Sequence, residues 1–282
     1  MAAATAATRL MGEIGILGET ETRFYRELSP ELTGVPKSYG SAFDLATGRY
    51  VLVLEDLARD GCEFPDTLHP FTPDQADKIV ELLARLHATF WERVPDWAYT
   101  ASADKFTAFT HHVLKPSLRR LARRSDVPVE KGRFIAENYG AVARLIDEPP
   151  HTVMHGDAHP GNVYFRNGAA GLLDWQAVRR GHPGRELAYT LVTGMTPADR
   201  RAHQRDLLDT YRRALAASGG PELDRDELWD RYCTGALYAY VATLITAGMG
   251  GMQADNIALE GLKRSVAAIE DLDTVALLEK SQ

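Results

Sequence analysis

Cysteine is scarce in this chain of 282 residues, with Cys62 and Cys233 alone. Two such thiols build no disulfide framework, and they lack the C-x-x-C spacing of a zinc or redox site. A basic excess is missing as well. There are 32 Lys and Arg against 39 Asp and Glu, a formal net charge of −7, whereas a surface that tracks a nucleic-acid backbone has the opposite balance. No apolar run is long enough for a membrane. The longest, Ala236 to Gly251, is interrupted by Thr243 and Thr246 and falls short of the roughly 20 residues a bilayer span requires; it reads as a buried core helix. The Ala/Thr-rich start has neither a basic n-region nor an apolar stretch ahead of a cleavage site, so no export signal is read and a reducing cytoplasm is the expected compartment. Repeats and low-complexity linkers are also missing. The composition that remains, 45% hydrophobic and 25% charged, is that of a globular protein and excludes global disorder.

The β-branched run Tyr50 to Leu54 follows the turn-like Thr47-Gly48 and leaves into Glu55-Asp56, which predicts a buried strand. Thr72-Pro73-Asp74-Gln75 supplies an N-cap, a proline at the first helical position and a capping-box glutamine. The helix they open carries Ala76, Ile79, Val80, Leu83, Leu86, His87 and Phe90 at helical spacing. Helical patterns continue over 104–125 and 131–147, until Pro149-Pro150 stops them. The segment 151–176 differs in kind. Short β-prone pieces at 152–154, 163–165 and 171–173 are separated by Gly, Pro and Asn, the pattern of strand, loop and hairpin. Helices then return, from Thr196-Pro197 to Gly219-Gly220, over 224–247 and over 255–278.

Chemistry concentrates in His155-Gly156-Asp157-Ala158-His159-Pro160-Gly161-Asn162. Gly156, Pro160 and Gly161 forbid a regular helix, so these side chains leave an irregular loop held between strands. With Asn167-Gly168 as the hairpin turn, Asn162 is expected opposite Asp174 at the open end. An amide oxygen and a carboxylate are hard ligands that suit Mg²⁺ and suit Zn²⁺ poorly; Asn162 and Asp174 are therefore the expected metal pair, with Asp157 left to accept a proton. Two plainer readings stand beside this one. Asp157, Asn162 and Asp174 would serve as turn caps in the first; His155, Asp157 and His159 would form the site of a metal-dependent hydrolase in the second. Gly12, Gly15 and Gly18 match neither G-x-G-x-x-G nor a Walker A loop. Arg119, Arg120, Arg123 and Arg124 read as a solvated helix face, and Trp229, Tyr232, Tyr238 and Tyr240 mostly as core.

The set His155, Asp157, Asn162 and then Asp174-Trp175-Gln176 matches the H-x-D-x-x-x-x-N catalytic loop and metal-binding Asp of protein-kinase-like enzymes. The fuller string resembles the aminoglycoside phosphotransferase and choline kinase family, in particular its ecdysteroid-kinase-like (CHK) branch. Val51 to Leu57 is similar to that family's strand and adenine-contacting hinge, and Glu21-x-x-Phe24-Tyr25 to the helix bearing its lysine-pairing glutamate. The resemblance implies an α+β, protein-kinase-like fold with a partial N-lobe over 1–57 and a mostly helical C-lobe over 58–282 that holds a small β hairpin at the active site. It implies ATP-dependent phosphorylation of a hydroxyl on a small molecule, with ATP and Mg²⁺ as cofactors and neither nucleic acid nor membrane as partner. Asp157 would be the catalytic base, Asn162 and Asp174 the metal ligands, and His155 and Trp175 structural supports. Glu21, Glu55 and Leu57 would belong to the nucleotide site. Two departures stand out. Where the family often has Asp-Leu-Ala-Tyr, this chain has Glu186-Leu187-Ala188-Tyr189. No lysine precedes Glu21, the first being Lys37, so the glycine-rich strands and strand lysine of a kinase N-lobe are missing from the chain as numbered. The expectation is either a start upstream of Met1 or a shortened paralogue, with weak ATP binding by this form and a catalytically impaired pseudokinase as the alternative function.

Overall fold

A computed structural model describes residues 16–102 and 105–280. Helix α1 (Ile16–Arg23) continues through a π turn and a 3-10 turn to Glu31, and is followed by a hairpin of β1 (Ser38–Asp44) and β2 (Arg49–Leu54). Helix α2 (Pro73–Thr89) opens on a complete capping box: Thr72 Oγ1 accepts the Gln75 N–H at 3.2 Å, and the Gln75 side chain accepts the Thr72 N–H at 3.0 Å. Its apolar face, Ile79, Val80 and Leu83, is fully buried.

Then come α3 (Lys105–Arg124), α4 (Glu130–Glu137) and α5 (Tyr139–Ile146). The single helix expected over 131–147 is broken at Asn138, whose Nδ2 donates to the Phe134 carbonyl at 2.9 Å and competes with the backbone for it. Next are β3 (Thr152–Met154), β4 (Val163–Arg166), β5 (Ala169–Leu172) and β6 (Arg179–Gly181). β4 and β5 form the expected hairpin, and β3 pairs antiparallel with β6. The helical remainder consists of α6 (Pro183–Gly194), α7 (Pro197–Ala217), α8 (Arg225–Met249), α9 (Asp255–Asp271) and α10 (Thr274–Lys280). The helix expected over 255–278 ends early because Asp273 takes a left-handed conformation, φ 48°, which a short polar side chain tolerates.

The core explains the apolar character of 236–251. One cluster joins α2, the β4–β5 hairpin, α6 and α7 with Phe24 and Tyr25. The other joins α3, α4, α5, α9 and α10. Helix α8 contributes to both, Cys233 and Ala236 to the first and Leu237, Tyr240 and Leu244 to the second, so it is apolar nearly all round. It crosses α6 closely at Gly235, where a Cβ would lie 2.7 Å from the Gly184 carbonyl oxygen. Of the four arginines on the exposed face of α3, Arg120 reaches across to donate to the Met249 carbonyl at the end of α8, at 2.6 Å. Among the described residues no helix is long and apolar enough to cross a membrane.

Candidate active site

The loop from 155 to 162 hangs between β3 and β4, braced from below by buried polar groups. Gly156 has φ 85°, and a Cβ there would collide with the Ala177 carbonyl; the loop closes this tightly only with glycine. His155 is fully buried. Its Nδ1 accepts the Asp157 N–H at 3.2 Å, which leaves Nε2 as the donor to the Leu173 carbonyl at 2.9 Å. Burial keeps its pKa below the usual imidazole range, so the neutral ring holds the loop to the hairpin. With both nitrogens engaged, His155 has no lone pair for a metal. That removes the zinc-hydrolase reading, and no group of three His, Cys, Asp or Glu among the described residues is arranged to hold an ion.

Glu186 braces the same loop. Fully buried in α6, it accepts the Gly156 N–H at 2.6 Å and the His155 N–H at 3.1 Å, and receives the His87 Nε2 hydrogen at 2.9 Å. Burial pushes its pKa up, but the His87 bond and the loop amides outweigh this and hold it below the ordinary value. The departure from Asp-Leu-Ala-Tyr therefore leaves this position with a carboxylate on two loop amides. Tyr189, three residues on, donates its phenol hydrogen to Asp157 Oδ1 at 2.7 Å.

Asp157, its side chain about one-third exposed, faces open space with Oδ2. His159 Nε2 lies 3.8 Å from that oxygen. Asn162 Nδ2 donates to the Asp157 carbonyl at 2.9 Å and approaches Oδ2 at 3.5 Å, which leaves Asn162 Oδ1 as the atom a hard cation would take. The hairpin register needs a correction of one residue. Val163 pairs with Leu172 and the Leu173 N–H donates to the Asn162 carbonyl at 3.0 Å, so Asn162 stands opposite Leu173. Asp174 is one step beyond the ladder in a left-handed conformation, φ 63°, and Gln176 Nε2 donates to its Oδ2 at 3.2 Å. Burial, followed by the nearby Asp157 charge, raises the Asp174 pKa. A carboxylate whose charge is disfavoured, beside an amide oxygen, makes a pair that fits a divalent cation.

The residues expected to contact nucleotide line a separate open cleft of about 600 Å³ that includes Glu21, Leu52, Leu54, Glu55, Leu57 and Asp174. The Glu55 carboxylate accepts the Lys37 N–H at 2.8 Å and pairs with Arg166 at 2.9 Å, while its own N–H donates to the Lys37 carbonyl. Glu21 accepts the Trp175 N–H at 3.2 Å; among the described residues no cation pairs with it. Burial and then Asp174 push its pKa up to about 7. The Lys37 ammonium sits over the Tyr39 ring, 5.0 Å from its centroid. Trp175 stacks on Phe24 at 3.9 Å and stands 4.5 Å from the His155 ring, which ties the π turn after α1 to the loop at 155–162. Gly18 lies in α1, and Gly12 and Gly15 fall outside the described residues.

Across Asp174 lies a second cavity, of about 330 Å³, reached by Asp157, His159, Gln176, Arg185, Tyr189 and Tyr238. Of the aromatic group in the late helices, Tyr232 and Tyr240 are core and only Tyr238 reaches this wall. A model of the phosphotransferase enzyme family matches residues 18–232. The chain belongs to that family. Solved structures share the phosphotransferase fold at low identity. A choline/ethanolamine kinase family protein from Mesorhizobium loti superposes with a TM-score of 0.55 at 15% identity, over 96% of this chain and 83% of that one. A choline kinase from Streptococcus pneumoniae gives 0.55 at 17%, over 91% and 80%. A glucosamine kinase solved with glucosamine, ADP and inorganic phosphate gives 0.53 at 19%, over 88% and 70%. No curated protein sequence matches the chain.

This member of the phosphotransferase enzyme family has residues around the loop and cavity that sequence reasoning gave no role, namely Arg185, Tyr189, Arg179 and His87. A signal was available for one of them: Arg185, with Glu186, is the only charge in the stretch from Pro183 to Gly194. His87 and Arg179 carried none, because only the tertiary fold brings His87 to Glu186 and Arg179 to the cavity.

Proposed function

We propose that this protein transfers the γ-phosphoryl group of ATP to a hydroxyl of a small molecule. The observation that carries the reading is that Asp174 and Gln176 line both the open cleft beneath β2 and the cavity beside Asp157, so a nucleotide in one and an acceptor in the other would meet at the carboxylate pair. Residues 1–57 would act as a partial N-lobe and 58–282 as the C-lobe. Leu57, first in the turn after β2, has an N–H without a partner inside that turn, and with the Glu55 carbonyl it would hold the adenine edge.

The division of roles follows from the hydrogen bonds. Tyr189 occupies Asp157 Oδ1, leaving Oδ2 to accept the proton of the acceptor hydroxyl as its oxygen bonds to the γ-phosphorus and the bond to the ADP oxygen breaks. His155 and Glu186 hold the loop so that Oδ2 does not turn away. Mg²⁺ on Asn162 Oδ1 and Asp174 would neutralise charge on the transferred group; one carboxylate and one amide bind it only together with the phosphates. The test is a screen of hydroxylated small molecules for ATP-dependent phosphate transfer, run in parallel with Asp157→Asn. Transfer that persists in the variant removes Asp157 from the mechanism.

One observation favours a second reading. Glu21 bonds a backbone amide instead of a lysine, as it would in a pseudokinase that acts by binding. Mg²⁺-dependent ATP binding with no transfer to any acceptor would decide for it.

A further inference from the structure

A positive charge in the wall of the acceptor cavity is only partly paired. Arg185, in the first turn of α6, is only 5% exposed. Its guanidinium lies over the Tyr238 ring, 3.8 Å from the centroid, and its buried Nη1 has no hydrogen-bond partner among the described residues. Asp147 acts on it electrostatically, but the two Asp147 oxygens already accept the N–H groups of Ala101 and Ser102. Arginine does not shed its charge, and a buried charge without full pairing is costly to hold. Arg179 reaches the same cavity. Among the described lining residues the only carboxylates are Asp157 and Asp174, at the end where phosphate would arrive, and α8 with the turn after it adds the apolar Val241, Ala242, Ile245 and Met252 beside Thr246 and Gln253.

Choline and glucosamine, in the names of two of the structural neighbours, carry a quaternary ammonium and a basic amine, and this cavity offers such a cation no carboxylate beyond Asp157 and Asp174. Resting on the phosphotransferase reading above, we infer that the acceptor is a hydroxy acid, bound with its carboxylate against Arg185, its apolar body on α8 and its hydroxyl at Asp157. A planar guanidinium suits a carboxylate in two-point contact. Stacking on Tyr238 holds that plane in place before the ligand arrives.

The experiment uses the full chain with Mg²⁺ and ATP and a matched panel of short hydroxy acids, their primary amides and the corresponding amino alcohols. Phosphate transfer and ligand-induced change in melting temperature are read side by side. The acids are expected to bind and be phosphorylated with kcat/KM roughly tenfold to hundredfold above the amides, the range of a charged hydrogen-bonded pair. Arg185→Gln erases that preference, and Arg185→Lys retains part of it. Mg²⁺-ATP binding by both variants reports on folding; where Arg185→Gln does not fold, Arg185→Lys and the acid-to-amide ratio of the unaltered protein decide. Preference for amino alcohols or amides, a failure of every acid to bind, or an acid preference that survives Arg185→Gln overturns the inference, while Asp157-dependent transfer keeps the phosphotransferase reading intact. Loss of Mg²⁺-ATP binding together with silence across the panel overturns that reading, and the inference with it.

Discussion

As the proposed base, Asp157 would have to be fixed in direction yet open enough to receive a proton, and the Tyr189 phenol supplies the first while the cavity supplies the second. Asp157→Asn keeps an oxygen for that phenol and leaves no void. Turnover is expected to fall roughly 10²- to 10⁴-fold, the usual worth of a positioned base, with stability unchanged to within about 0.5 kcal/mol. Steady-state kinetics beside a melting curve check this, and a variant that is both inactive and unfolded would show the residue to be structural.

At the scale of elements, α6 does most to position the site, since its first two turns carry Arg185, Glu186 and Tyr189. Its N-cap is His182, whose Nδ1 accepts the Gly184 N–H at 3.0 Å. Burial, reinforced by the Arg231 charge, lowers the His182 pKa to about 3. The unfolded chain takes up a proton near pH 6.5 and the folded chain does not, so stability present above pH 6.5 is lost progressively as pH falls toward the folded value. By about pH 5 this one group is expected to cost about 2 kcal/mol. His155, also buried and neutral, acts in the same direction. His182→Asn retains a capping acceptor without titrating, so its unfolding free energy should fall less steeply with acid than that of the unaltered protein in denaturant titrations; parallel slopes would refute the assignment. The crossing of α6 with α8 is equally exacting. Gly235→Ala places a methyl against the Gly184 carbonyl and the Arg185 backbone, with an expected loss of about 1–3 kcal/mol. An unchanged urea midpoint would mean that the helices part without cost.

Over the described residues, the cleft beneath β2 and the cavity beside Asp157 share Asp174 and Gln176 in their linings. A ligand that bridges them stabilises the folded chain by mass action, about 2.7 kcal/mol at a hundredfold excess over its dissociation constant. Mg²⁺-ATP is therefore expected to raise the melting temperature, and Asp174→Ala to remove the Mg²⁺-dependent part of that rise, since an amide oxygen alone holds the ion weakly. A full Mg²⁺-linked shift in the variant would place the ion elsewhere.

The hairpin at 163–172, the capped helix at 73–89 and the loop from His155 to Asn162 were legible because each is written in local terms: turn residues, caps, and glycines and prolines that forbid a helix. The break at Asn138 was not, since a side chain competing for one carbonyl leaves the helical periodicity of its neighbours untouched. The placement of Asp174 was missed by one residue, because the two-residue turn pairs Arg166 with Ala169 and so sets Asn162 opposite Leu173, leaving Asp174 past the ladder in a left-handed conformation that no pattern announces. Local sequence thus determined that an irregular loop rich in His, Asp and Asn stands between two strands, the loop proposed here to be catalytic. Only the tertiary structure decided that Glu186 and His87, 99 positions apart, would support that loop from below, and that Arg185 would be buried beside Tyr238. Those arrangements depend on which helix faces pack together, and helix packing joins residues whose separation along the chain carries no signal.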